Sequence, residues 1–199
     1  MAASPSPDAS IGGWFFRNRS MTPVPLAIIL LLVPSMALGR SLWLLGLALV
    51  VLGQSIRMWT VRHIGVISRT RASRLGPLVV SGPYLLVRNP IYVGNWFLWT
   101  GFTIWSGVLW MLPVVWAVFI LQHRTIVRWE EQLLLERFGE PYADYLKKVN
   151  RWWPSGFASL ASSPPPLHSW GAMLFSERGT LIAVTVTSLL LMAKSWWRL

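Results

Sequence analysis

Residues 81–94 read SGPYLLVRNPIYVG, a turn, a tyrosine, an arginine and an Asn-Pro-x-Tyr step that open directly onto an apolar run. Gly82-Pro83 marks a turn, and Asn89-Pro90 places a restricted residue before a proline suited to the first position of a helix. Tyr84, Arg88, Asn89 and Tyr92 therefore gather at one helix N-terminus, whose free N–H groups and positive dipole end suit an anionic or phosphate-like group. The same residues would also serve a plainer purpose, as a juxtamembrane loop with Arg88 on lipid head groups and the tyrosines in the interfacial belt.

Working outward, the chain is too apolar for a soluble domain of its length: 54% of its 199 residues are hydrophobic, 13% are charged and 14 are tryptophan. This composition predicts an all-α integral membrane bundle. The formal charge of +11 does not imply nucleic acid, because the cations lie between apolar runs instead of forming one basic stripe. They read as topology signals and contacts to membrane phospholipids. The absence of cysteine excludes disulfides, thiolate metal sites and a cysteine nucleophile, and His63, His123 and His168 lack metal-ligand spacing. Any reactive group is expected from a bound cofactor.

Residues 1–20 read as a disordered Ser/Pro/Ala tail followed by an interfacial anchor, Trp14-Phe15-Phe16 with Arg17 and Arg19. A membrane core is expected over 21–154, with a first span at Met21–Leu38 and a second at Leu42–Ile56. Gly46 and Gly53 in the second span suit close helix approach. The loop beyond it carries Arg57, Arg62, Arg69, Arg71, Arg74 and Arg88, with no acidic residue between Leu42 and Gly94, and the positive-inside rule makes it cytoplasmic. Ile91–Leu121 is apolar for 31 residues without a charge, enough for two spans with a reversal near Trp105–Gly107. The fourth span is expected to emerge at His123-Arg124 and to continue as a helix up to Gly139. Residues 155–172 read as a Ser/Pro linker and 173–199 as a C-terminal transmembrane helix, with its apolar run at Thr180–Ala193. The expected topology is about five spans, with the N-terminus cytoplasmic.

On the extension of the fourth span, Ile126, Val127, Trp129, Leu133, Leu134, Leu135 and Phe138 define an apolar arc at helical spacing. Glu130 falls near the middle of this arc and Glu131 on its edge. A carboxylate on such a face is costly unless paired, so Glu130 is a candidate for the site, with a salt bridge to a loop arginine such as Arg88 as its simpler alternative.

Two stretches together, Gly82-Pro83-Tyr84 through Arg88-Asn89-Pro90-Ile91-Tyr92-Val93-Gly94 and Glu130-Glu131 through Phe138-Gly139-x-x-Tyr142-x-x-Tyr145, resemble the isoprenylcysteine carboxyl methyltransferase family and its phospholipid methyltransferase relatives. The likeness runs over about residues 53–154 and includes Gly53, Arg57 and Trp59. It implies an enzyme of the bacterial inner membrane or endoplasmic reticulum, whose cytoplasmic pocket binds S-adenosylmethionine without a Rossmann domain. A lipophilic acceptor would come from the bilayer. By motif, the cofactor contacts would fall on Leu78, Val79, Tyr84, Asn89, Pro90, Ile91, Tyr92 and Glu130, with Arg88, Asn89 and Tyr92 at the reacting centre. Asn89 stands where the family has a histidine, and it cannot shuttle a proton. Ile126 stands where eukaryotic members carry an arginine directed at the substrate. The resemblance with this apolar replacement leads us to expect a neutral or weakly acidic acceptor, entering between the third and fourth spans. Two further readings are a sterol-reductase-like NADPH enzyme, which shares an Arg-x-Pro-x-Tyr step, and a non-catalytic adaptor that keeps the fold.

Overall fold

The computed structural model describes residues 7–65 and 77–196. Arg69, Arg71 and Arg74 of the expected cytoplasmic loop lie outside the described residues, as do Trp197 and Arg198 beyond the last span. The described residues form seven α-helices and no strand: α1 Pro7–Arg17, α2 Val24–Leu32, α3 Arg40–Ile64, α4 Pro90–Trp105, α5 Leu112–Phe138, α6 Glu140–Lys148 and α7 Trp170–Trp196. Three of these, α3, α7 and α5 with its preceding turn, are long and apolar enough to cross a bilayer. Their outward residues are lipid-like, as with Leu44 and Val51 on α3, Ile120 and Leu121 on α5, and Ile182 and Leu189 on α7, all exposed.

The centre of the bundle is the antiparallel pair α3 and α4, and glycine sets their separation. A Cβ on Gly53 would lie 2.6 Å from the Gly94 carbonyl oxygen, and one on Gly46 would lie 2.7 Å from the Trp105 amide nitrogen. Only glycine permits such backbone contact. Leu98, Phe102, Trp105, Val50 and Val115 fill the apolar core around this seam. At its end α4 stops at Trp105, where Gly107 adopts φ +74° and the chain reverses into α5.

The expected first span differs from the structure. Helix covers only the nine residues of α2, because Pro34 restricts the residue before it, and Val33 is extended at ψ 134°. Proline also has no N–H to offer the Leu30 carbonyl four residues back. Lys194 of α7 takes that acceptor, its Nζ donating to Leu30 O at 2.5 Å and to Val33 O at 2.8 Å. The extended segment ends against the α4–α5 reversal, where Met36 N donates to Gly107 O at 2.9 Å.

The chain start also departs from the reading as a tail. Helix α1 lies on the extension of α5 closely enough that a Cβ on Gly12 would come 2.4 Å from Thr125 O. Phe16 is buried against Trp129, with ring centroids 4.9 Å apart, while Trp14 remains exposed. Residues 155–172 are held in place as well. Ser155 N donates to Leu86 O at 2.9 Å, Gly82 N to Ser163 Oγ at 2.7 Å, and His168 N to Arg62 O at 3.1 Å.

Candidate functional site

Residues at helical spacing on α4 change character along one line. Asn89, Tyr92 and Asn95 are followed by Leu98, Trp99 and Phe102, and all six line one cavity of about 890 Å³. Opposite them on α5, Glu130 and Glu131 give way to His123, Phe119 and Val115 on the same cavity. Because α4 and α5 run in opposite directions, both walls are polar at one end and apolar at the other. The cavity is therefore a single two-ended chamber. Ala27 and Leu31 of α2 and Ala183, Val184 and Thr187 of α7 close its apolar half.

The polar end is built by the loop before α4. Gly82, at φ +57°, starts a short 3-10 turn, Gly82–Leu85, and a Cβ there would strike the His63 ring. The segment after α6 straps this loop down: Arg88 N donates to Asn150 O at 2.9 Å, and Tyr145 Oη donates to Tyr84 O at 2.8 Å. Burial pushes the phenols of Tyr84, Tyr142 and Tyr145 far above their ordinary range, reinforced by Tyr145, Glu131 and Tyr142 respectively. These tyrosines are neutral hydrogen-bonding groups, not bases.

The two neighbouring glutamates have different partners. Tyr92 Oη donates to Glu130 Oε2 at 2.8 Å, and the Tyr92 ring sits edge-on to His123, which stacks on Phe119. Glu131 is the more buried of the two and forms an ionic clamp, with Arg151 Nη2 at 2.5 Å and Arg88 Nη1 at 3.3 Å. The salt bridge considered for Glu130 thus belongs to Glu131. Its partner Arg151 comes from the strap. Arg88 lines the same chamber, and its buried Nε has no hydrogen-bond partner among the described residues.

Of the residues singled out from sequence, Tyr84, Arg88, Asn89, Pro90, Ile91, Tyr92 and Glu130 all line the large cavity. Leu78 and Val79 line a separate space of about 90 Å³, which shares Tyr84 and Arg88 with the large one. Ile126 is fully buried in a cluster with Phe16, Tyr92, Phe119 and Val127, packed behind the wall that Tyr92 and Phe119 present to the chamber and not lining it itself.

Three wall residues were not anticipated as site residues. Arg57, Asn95 and Glu177 meet between the two halves of the chamber. Arg57 Nη2 lies 2.8 Å from Glu177 Oε2, and Glu177 is 1% exposed. Arg57 Nε also donates to Glu177 at 3.2 Å, Nη1 donates to Asn95 Oδ1, and Nη2 donates to Thr180 Oγ1 at 3.1 Å. The sequence signal for this cluster was a lone acidic residue just before an apolar run, one of only seven acids in the chain.

Residues 42–141, half of the chain, match the family model for phospholipid methyltransferase. The cobalt-zinc-cadmium resistance protein CzcN of Cupriavidus metallidurans is 26% identical over 152 residues, 70% of this chain and 66% of that protein. The protein-S-isoprenylcysteine O-methyltransferase of Mus musculus is 35% identical over 112 residues, 52% of this chain and 38% of that enzyme. The nickel-cobalt-cadmium resistance protein NccN of Alcaligenes xylosoxydans is 24% identical over 156 residues, 76% of this chain and 70% of that protein. The chain thus spans just under two thirds of CzcN and well under half of the mouse methyltransferase. No solved structure matches it.

Proposed function

This chain belongs to the phospholipid methyltransferase family, and from that premise we propose a membrane enzyme that moves a methyl group from S-adenosylmethionine to a lipophilic acceptor drawn from the bilayer. The observation that carries this reading is the single chamber of about 890 Å³, polar at one end and apolar at the other. It is large enough for a polar cofactor and an apolar chain to meet, within the usual range for ligand sites.

The groups at the polar end suit the cofactor's chemistry. Arg88 at the chamber wall offers a guanidinium to its carboxylate, and Glu130 an acceptor to its ammonium or ribose hydroxyls. Asn89 and Tyr84 supply further hydrogen bonds, and Pro90, Ile91 and the Tyr92 ring supply apolar surface. Leu78 and Val79 back Tyr84 from the smaller space. S-adenosylmethionine, when bound, supplies a methyl group already activated by its sulfonium. The protein's own contribution is then to orient the two ends and exclude water, with Arg88, Asn89 and Tyr92 at the junction.

We read the polar end as cytoplasmic, since the arginine-rich segment between α3 and α4 that ends in Arg88 leads into it, with no acid between Leu42 and Gly94. Five crossings remain consistent with α2 and α4 as the shorter ones. The nine helical residues of α2 and the extended chain up to Met36 together rise roughly 27 Å, near the bilayer's apolar thickness. In this reading 21–154 is the enzyme core, and the helix in 173–199 completes its apolar wall. Acceptor entry is better supported between α2 and α7 than between α4 and α5. Val24 and Ile28 on one lip, and Gly179 and Ala183 on the other, line the chamber and are also exposed.

The test is calorimetric titration of the purified protein with S-adenosylhomocysteine and, separately, with NADP. Saturable binding of S-adenosylhomocysteine alone is expected. Binding of NADP in its place would support the reductase reading, and binding of neither would support an adaptor.

A further inference from the structure

The ion pair between Arg57 and Glu177 stands where the chamber changes from polar to apolar. Asn95, which Arg57 contacts, is one turn beyond Tyr92 on α4, roughly 4.5 Å along the axis, and Leu98 is the next lining residue. This is the level at which the head of an amphiphile would sit if its tail filled the space between Phe102, Val115 and Val184. The selectivity inferred below rests on the proposed reading of that half as the acceptor's chamber.

An arginine at this level would ordinarily select an anionic head. Here at least four of its five donors are already engaged. Nε and Nη2 both face the Glu177 carboxylate, Nη2 also reaches Thr180, and Nη1 is on Asn95. For an anion to use Arg57 it would have to displace the buried Glu177 carboxylate from it, or else sit beside that carboxylate as a second negative charge. The other arginines lining the chamber lie at its polar end or rim. Arg88 is engaged with Glu131, Arg19 lies over the Phe16 ring and donates to Phe16 O, and Arg17 is exposed at the rim. The apolar half beyond Arg57 has no charged lining residue.

We propose that Glu177 is a specificity-determining residue, which neutralises Arg57 in the cavity wall and so makes the chamber take an uncharged amphiphile and reject an anionic one. Selection of this kind works by building a repulsive element against the wrong ligand. Glu177 lies on α7, outside the residues that match the family model, so this selectivity belongs to the chain's own C-terminal helix.

The experiment uses the full chain in phosphatidylcholine nanodiscs, with empty nanodiscs subtracted. Binding of labelled hexadecanol is compared with that of hexadecanesulfonate, which is charged at every working pH. The wild type is expected to bind the alcohol at least about tenfold more tightly. Glu177→Gln is expected to raise sulfonate affinity about tenfold while leaving the alcohol within about threefold, and the double variant Arg57→Gln/Glu177→Gln to restore the wild-type preference. Equal or tighter sulfonate binding by the wild type, or no binding of either probe, would overturn the proposal, and so would a preference unchanged in Glu177→Gln. Should Glu177→Gln not fold, the wild-type ratio decides alone. A parallel titration with S-adenosylhomocysteine separates the two ideas. Cofactor binding with sulfonate preferred sinks the charge selection only. Alcohol preference without cofactor binding sinks the methyltransferase reading only.

Discussion

The α3–α4 seam and the α7 flank bound the same chamber and are held by opposite means. Along the seam two backbones approach through Gly46, Gly53, Gly94 and Gly101, where backbone atoms and the side chains of Trp105, Leu98, Arg57 and Val50 leave no room for a Cβ. Helix α7 buries few of its residues, among them Met173, Glu177 and Leu191, and turns a largely exposed apolar face outward. Charged groups fasten it near each end, Glu177 on Arg57 and Lys194 on the carbonyls of α2. In lipid, apolar contact between helices gains little over contact with acyl chains, so close packing and polar bonds are what hold helices together. The seam uses the first and the flank uses the second. The α4 wall of the chamber thus belongs to a part that cannot shift without clashing, and the α7 wall to a part attached at a few points.

The largest expected effect tests the seam. Gly53→Leu would force α3 off α4 and should cost about 3 kcal/mol or more, seen as a collapsed thermal midpoint in detergent. A shift smaller than that of any α7 variant would break the comparison. Next comes the polar end, where Glu130→Gln should weaken S-adenosylhomocysteine binding about tenfold, roughly 1.4 kcal/mol. Glu131→Gln should change binding much less and lower thermal stability instead, because Arg88 and Arg151 lose their shared partner. Equal binding losses for the two variants would reject this division of roles. The smallest effect belongs to the flank. Lys194→Met should cost about 1 kcal/mol and speed amide exchange at the end of α2, with α3 and α4 unchanged. Slower exchange there, or equal acceleration along α4, would show that Lys194 does not fasten α7 locally.

Much of this was legible in the sequence. The long apolar runs and Asn89-Pro90 gave α4, Gly139 gave the end of α5, and Gly46 and Gly53 marked a close approach. Tyr92 and Glu130 were singled out separately and share a hydrogen bond. The misses have physical causes. The end of α2 was written in Val33-Pro34 and was outweighed by the apolar character of Met21–Leu38. Gly12-Gly13 carries the docking of α1, but small residues in a Ser/Pro/Ala context read equally well as disorder. A helical wheel sees only its own helix, so it ranked Glu130 as the more central carboxylate. The cations that bury Glu131 come from segments 43 residues earlier and 20 later, which periodicity cannot register. The pairing of Arg57 with Glu177 spans 120 residues and was hidden for the same reason.

The bond from Lys194 to α2 also bears on how the protein is made. Leu30 and its partner are 164 residues apart, so α2 is synthesised long before the ammonium that caps it. Until α7 is made, the carbonyls of Leu30 and Val33 lack that donor, at a cost that grows as their surroundings become less polar. Assembly therefore finishes late: the α3–α4 pair can close as soon as both helices exist, while the cap on the end of α2 is set only when the last helix arrives.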